Sequence, residues 1–178
     1  MTYLVDANVL SELTKSAPAL RVVEWLRANE REIAVDPIIL GEVRFGILRL
    51  PKEKRRARLE RWFSAGVQRV HCLPWDAETG LRWAELLAQL RASGRAMPIK
   101  DSLIAATALV HGLIVATRNR SDFEKARVKI VDPFAAWVRG LEASRFEKAR
   151  VRIVDLFSSG VPRAPNSPEI GLISAAMR

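Results

Sequence analysis

The sequence predicts an α/β fold in which a short, mostly buried parallel sheet is wrapped in helices. Two observations predict it. Short apolar runs rich in β-formers recur at residues 1–5, 33–35, 113–116 and 128–131, separated by longer stretches with apolar residues at helical spacing. Several of these runs end abruptly at an acid, as at Asp6, Asp36 and Asp132. Strands that alternate with helices pair in parallel and are covered on both faces.

Taken in order, the first strand ends at Asp6 and a short helix over residues 9–13 closes before Pro18. Ser16 and Pro18 open a second helix through Arg27, with Leu20, Val23 and Leu26 on one face. Residues 33–35 form the second strand. Asp36 and Pro37 then start a helix, acid at the cap and proline in the first turn, that carries Ile38, Ile39, Glu42, Val43, Phe45 and Ile47. Residues 52–65 are a highly charged amphipathic helix whose apolar stripe is Leu59, Trp62 and Phe63. A third strand is expected over 67–73, ended by Pro74, and a long helix over 75–93, stopped by Gly94. Pro98 opens a helix whose body, 103–108, is almost all small and apolar, suited to lying close on a sheet. Gly112 ends it before the strand at 113–116. Residues 117–122 are expected as a polar loop, and the last strand, 128–131, runs into Asp132 and Pro133.

The bulk composition narrows the function classes. The chain has 178 residues, 49% apolar and 28% charged, enough for one domain with a real core. No apolar run approaches the roughly 18 residues of a membrane span, and no signal peptide opens the chain. A single cysteine, Cys72, excludes an internal disulfide framework and suits the cytoplasm; it is expected as a small buried hydrophobe on a strand. Twenty-nine Lys and Arg against 20 Asp and Glu give a net charge of +9, which draws a protein to polyanions through counterion release.

The C-terminal part contains a local repeat. Residues 121–134 read SDFEKARVKIVDPF and residues 144–157 read SRFEKARVRIVDLF, identical at 11 of 14 positions. A single short copy is a duplication rather than a repeat architecture. Arg145 replaces Asp122 in the copy. The domain is therefore expected over 1–137, with 138–178 as a loosely ordered C-terminal extension.

Four acids stand in comparable places. Asp6 ends the first strand, Asp101 lies in the first turn of the small-residue helix, and Asp122 follows the strand at 113–116. Each aspartate also occupies a position where a helix cap is common. Glu42 has Ile38, Ile39 and Phe45 as helical neighbours, which places it on an apolar face where a lone charge is costly. No basic residue is evidently placed to pair with it, and a cation shared among the acids would serve. Oxygen donors of this kind suit Mg²⁺ or Mn²⁺. Zinc does not fit, because His71, His111 and Cys72 match no zinc spacing. No glycine-rich dinucleotide or phosphate-binding loop is present.

The ordered set formed by Leu-Val-Asp6-Ala-Asn8, Glu42 in its apolar helix, Asp101-Ser-Leu-Ile-Ala-Ala and Thr117-Arg-Asn119-Arg-Ser-Asp122-Phe resembles the PIN-domain family, and within it the VapC-type toxins. The likeness covers residues 1 to about 134. It implies a three-layer α/β/α fold with a short central parallel sheet and a Mg²⁺- or Mn²⁺-dependent endoribonuclease. It also implies an RNA substrate, a cognate antitoxin as inhibitor, and a homodimer or toxin–antitoxin hetero-oligomer. Carried over by position, Asp6, Glu42, Asp101 and Asp122 match the catalytic acids, with Asp6 and Asp101 as metal ligands. Asn8, Thr117 and Asn119 match supporting polar positions. Ala7 departs from the pattern, which has threonine there. The basic helix at 52–65 lines an RNA path or is a solvated face with internal ion pairs. Two other readings keep the fold: an RNA- or antitoxin-binding module without activity, and a housekeeping RNA-processing nuclease.

Overall fold

Five three-residue or shorter strands form one parallel sheet: β1 (Tyr3–Val5), β2 (Ile33–Val35), β3 (His71–Cys72), β4 (Ile114–Ala116) and β5 (Lys129–Val131). The structure, a computed structural model, describes residues 1–135. Strand order is β3-β2-β1-β4-β5. Helices α1 (Ala7–Leu10), α2 (Leu20–Ala28), α3 (Pro37–Leu48), α4 (Lys54–Ala65), α5 (Ala77–Ala92), α6 (Ile99–His111) and α7 (Arg120–Lys125) flank the sheet in a three-layer α/β/α arrangement.

The central strands are buried on both faces, which is why they read as unbroken apolar runs. Leu4, Val5, Ala34, Val35, Val115 and Ala116 are all fully inaccessible. Against them pack Val22, Trp25 and Leu26 of α2, Ile39, Val43 and Ile47 of α3, and Ile104, Ala105 and Ala108 of α6. Alanines on α6 let its backbone approach the sheet, as the composition of 103–108 predicts. Gly112 ends α6 with φ +64°, a left-handed turn that side chains disfavour.

The strand order decides where a ligand can sit. From β1 the chain builds outward through β2 and β3, then returns to the other side of β1 with β4 and β5. The direction of winding therefore switches between β1 and β4, and at such a point the connections leave a crevice beyond the carboxyl ends of the strands. Val5 pairs with Ala116, so the residues that leave the sheet at the crevice are Asp6 and Thr117.

Asp36 holds the layers together beneath this edge. Its Oδ1 accepts the Ile39 backbone N–H at 2.8 Å, capping α3, while Thr107 of α6 donates to its Oδ2 at 2.8 Å. The cap was legible in the sequence; the bond to α6 spans 71 residues and was not.

Several expectations need correction. The third strand does not fill 67–73: Val67–Arg69 is a 3₁₀ turn and only His71–Cys72 pair with β2. Cys72, on a two-residue strand at the sheet edge, is exposed rather than buried. Residues 117–122 are not all loop, since α7 begins at Arg120 and places Asp122 in its first turn. The first helix continues as a 3₁₀ turn over Ser11–Thr14, and α2 starts at Leu20, where buried Glu12 accepts the Ala19 N–H at 2.9 Å. The expected domain end at 137 and the extension over 138–178, with the second repeat copy, lie outside the described residues. Among the described residues no helix is long and apolar enough to cross a membrane.

Asp36→Ala removes the α3 cap and leaves the buried Thr107 hydroxyl without its carboxylate. Stability is expected to fall by about 2 kcal/mol in urea unfolding, with an unchanged m-value.

Candidate active site

At the crevice, Asp6 occupies the N-cap position of α1 but its side chain makes no cap bond. It turns instead to Thr117, whose Oγ1 donates to Asp6 Oδ2 at 2.6 Å, and to the Asn8 amide, which donates to the same oxygen. Thr117 is fully buried and accepts two further bonds, from Asn8 Nδ2 at 3.0 Å and from the Asn119 backbone N–H at 2.9 Å. Asp6 is thus held by residues from both sides of the switch point. Burial pushes its carboxyl above the ordinary value, with repulsion from Glu42 adding to the rise and the Thr117 bond opposing it.

Asp101 arrives from the first turn of α6, where Pro98 holds the cap position. Asn119 Nδ2 donates to Asp101 Oδ2 at 2.8 Å and to Asp122 Oδ2 at 2.9 Å, so one amide group bridges two acids. Asp101 is the most perturbed of the set. Burial, then Asp6, Asp122 and Glu42 in turn, raise its carboxyl from 3.8 to about 6. Asp122 goes the other way, lowered by Lys125, which donates to Oδ1 at 2.6 Å, and by Asn119.

Glu42 reaches the same place from α3, on a different footing from the one its sequence neighbours suggest. The buried stripe of α3 is Ile39, Val43 and Ile47, whereas Phe45 is 62% exposed. Glu42 flanks that stripe at the groove's rim, and Lys100, the residue before Asp101, pairs with it. The expectation that no basic residue is placed to meet Glu42 is therefore wrong. The two lie 58 residues apart, beyond any local pattern.

Asp6, Asn8, Glu42, Asp101 and Asn119 line one groove of about 480 Å³, with Ala7 in its wall. Its other side is built by Val43, Ile47, Leu50, Leu59 and Trp62 from α3 and α4 and the loop joining them. Thr117 lies beneath this surface and Asp122 behind Asn119, so the groove itself presents three of the four acids. Among the described residues no three His, Cys, Asp or Glu side chains are gathered tightly enough to hold a metal ion as they stand. Glu42 is turned to Lys100 and Asp122 to Lys125. The donor set nonetheless fits a hard divalent cation, because the acids are all oxygen donors and close enough to raise Asp101 by mutual repulsion. Lys100 and the apolar wall were missing from the sequence reading. A lysine next to a site acid was a visible signal; the wall needed the packing of α3 on α4.

The family model described as the PIN domain matches residues 3–129. A ribonuclease of Sinorhizobium fredii named VapC ribonuclease Y4jK is 36% identical over 135 residues, 74% of this chain and 96% of that protein. Toxin FitB of Neisseria gonorrhoeae is 30% identical, over 74% of this chain and 97% of its own length. The crystal structure of FitAcB from the same organism superposes with a TM-score of 0.72 at 29% identity, covering 76% of this chain and all of the other.

The raised Asp101 carboxyl fixes the sign of a pH effect. Between 3.8 and about 6 it keeps a proton in the folded chain that the unfolded chain has already released, so its charge costs stability as pH rises through that window. Asp101→Asn, always neutral, is expected to melt above the parent at neutral pH in EDTA, with the difference closing toward pH 4 in thermal scans.

Proposed function

The chain belongs to the PIN-domain family, and on that premise we propose that it is a Mg²⁺- or Mn²⁺-dependent endoribonuclease of the VapC type, the toxin of a toxin–antitoxin pair. Asp101 carries this reading. Its carboxyl is lifted to about 6 by burial and by three acids contributed from three other parts of the fold, a crowding with little structural use unless a cation joins them. The relatives named as a ribonuclease and a toxin align over nearly their whole length. The net charge of +9 suits an RNA substrate.

Asp6 and Asp101 are the residues that would hold the cation. Bound there, it supplies Lewis acidity, lowering the pKa of a water and offsetting charge that builds on the phosphate. The rest falls to the chain's own side chains. Thr117 and Asn8 fix the Asp6 carboxylate, so the missing threonine at Ala7 removes no bond that Asp6 lacks. Asn119 sets the angle of Asp101. Glu42, at the groove and held by a mostly exposed lysine, accepts the proton of the attacking water. Asp122 does not line the groove and acts through Asn119 as a positioning residue. The partners of this reading are RNA as substrate and a cognate antitoxin as inhibitor, in a homodimer or a hetero-oligomer with the antitoxin.

Purified chain incubated with structured RNAs is expected to cut them in Mg²⁺ or Mn²⁺ and to stop in EDTA. Asp6→Ala, Asp101→Asn and Glu42→Gln are each expected to lower the rate at least about 100-fold, and Asp122→Asn about 10-fold. Cleavage indifferent to EDTA and to these substitutions would remove the nuclease reading and leave a binding module. Lys100→Ala frees Glu42 from its counter-charge. It is expected to tighten Mn²⁺ binding several-fold in calorimetric titration, and unchanged affinity would show that the lysine does not compete with the cation.

A further inference from the structure

A second cavity, about 490 Å³, adjoins the acid groove and is lined by Lys54, Arg55 and Arg58 of α4 with Thr14 and Ser16. Thr14 and Arg55 line both cavities, so one trough runs from the carboxylates to the three cations. The basic residues of α4 are not alike. Arg56 bonds Glu60 at 3.0 Å and reaches the carbonyls of Leu48 and Leu50 at 3.3 and 3.5 Å, which ties α4 to the end of α3. Lys54, Arg55 and Arg58 have no ion-pair partner among the described residues.

Their placement is unfavourable for the helix itself. Lys54 and Arg58 are one turn apart on one face and repel, and Lys54 and Arg55 lie in the first turn of α4, at the positive end of its dipole. No acid of α4 is spent on them, since Glu60 goes to Arg56 and Arg44. An anion in the cavity would offset both costs. The adjoining groove selects among anions: its carboxylates repel a phosphate until a cation is present, while the basic end attracts one without it. A chain of phosphodiesters laid along the trough meets both requirements at once.

We propose that Lys54, Arg55 and Arg58, with the hydroxyl of Ser16, form a phosphate subsite that grips the RNA backbone beside the bond to be cut; Thr14, whose hydroxyl is spent on the Ser11 carbonyl at 2.7 Å, only lines it. The identity of the ligand rests on the ribonuclease reading. The subsite sets binding and register; the chemistry stays with the acids.

The test is fluorescence anisotropy of the full chain with a labelled single-stranded RNA of about ten nucleotides, in EDTA so that nothing is cut, across a KCl series. The Lys54→Ala/Arg55→Ala/Arg58→Ala variant is expected to bind on the order of 10- to 100-fold more weakly at low salt, with the slope of log K against log salt reduced by about 2. Arg91→Ala, on the last turn of α5, is expected to match the parent. Arg55→Lys keeps the charge and is expected to retain most of the affinity. The triple variant is expected to melt no lower than the parent, because the charges removed repel one another. Parental affinity and slope in the triple variant overturn the subsite, as does a trough from which polyglutamate, but not RNA, is lost on substitution. Cleavage assays separate this from the nuclease reading. A triple variant that cuts RNA in Mn²⁺ with unchanged KM removes the subsite alone. A parent that binds RNA through these residues but cuts in neither Mg²⁺ nor Mn²⁺ removes the nuclease alone.

Discussion

The hydrogen bond from Thr117 to Asp6 joins the two strands on either side of the switch point, and the groove is assembled outward from it. Register makes the bond possible: Val5 pairs with Ala116, so the next residue of each strand emerges side by side. Thr117 also accepts from Asn8 and from the backbone of Asn119, and Asn119 in turn holds Asp101 and Asp122. Asp6 is thereby linked by short polar contacts to two other acids from different elements. A buried hydroxyl with every bonding capacity used is a rigid support, since any displacement leaves a polar group unpaired.

Like charges brought together this way repel, and the protein answers with lysines at the margins. Lys100 meets Glu42 and Lys125 meets Asp122, while Asp6 and Asp101 have neutral partners and rise above the ordinary carboxyl value. The split sorts the acids by what they can do. The two without a lysine are the ones whose charge a cation would relieve most. Both lysines sit on side chains with substantial exposure, so their pairs are cheap to exchange. At Asp101 the crowding that costs stability is the same crowding that the proposed cation would relieve.

Much of this was legible locally. Asp6 ends an apolar run, Asp101 opens a small-residue helix, and Asp122 follows the strand at 113–116, all patterns a few residues long. What failed were features whose cause is distant. Its helical neighbours Ile38, Ile39 and Phe45 predict an inward-facing Glu42, yet α3 buries Ile39, Val43 and Ile47 and leaves Phe45 in solvent. The third strand shrank to two residues, and Cys72 came out exposed, because an edge position depends on strand order rather than on apolar content. The basic helix also divided only on folding, Arg56 going to internal bonds and Lys54, Arg55 and Arg58 to the trough.

By itself, then, the sequence determined the alternation of strands and helices, the small-residue surface of α6, the cap at Asp36, and the oxygen-donor residue types from which the proposed cation site would be made. Those follow from periodicity and from the chemistry of single side chains, which neighbours in the chain suffice to express. Tertiary structure decided which acids face the groove, that Lys100 is the partner of Glu42, and that Thr107 shares Asp36 with the α3 backbone. These are pairings between residues some 60 to 110 positions apart, and only the order in which the strands pair brings them within reach.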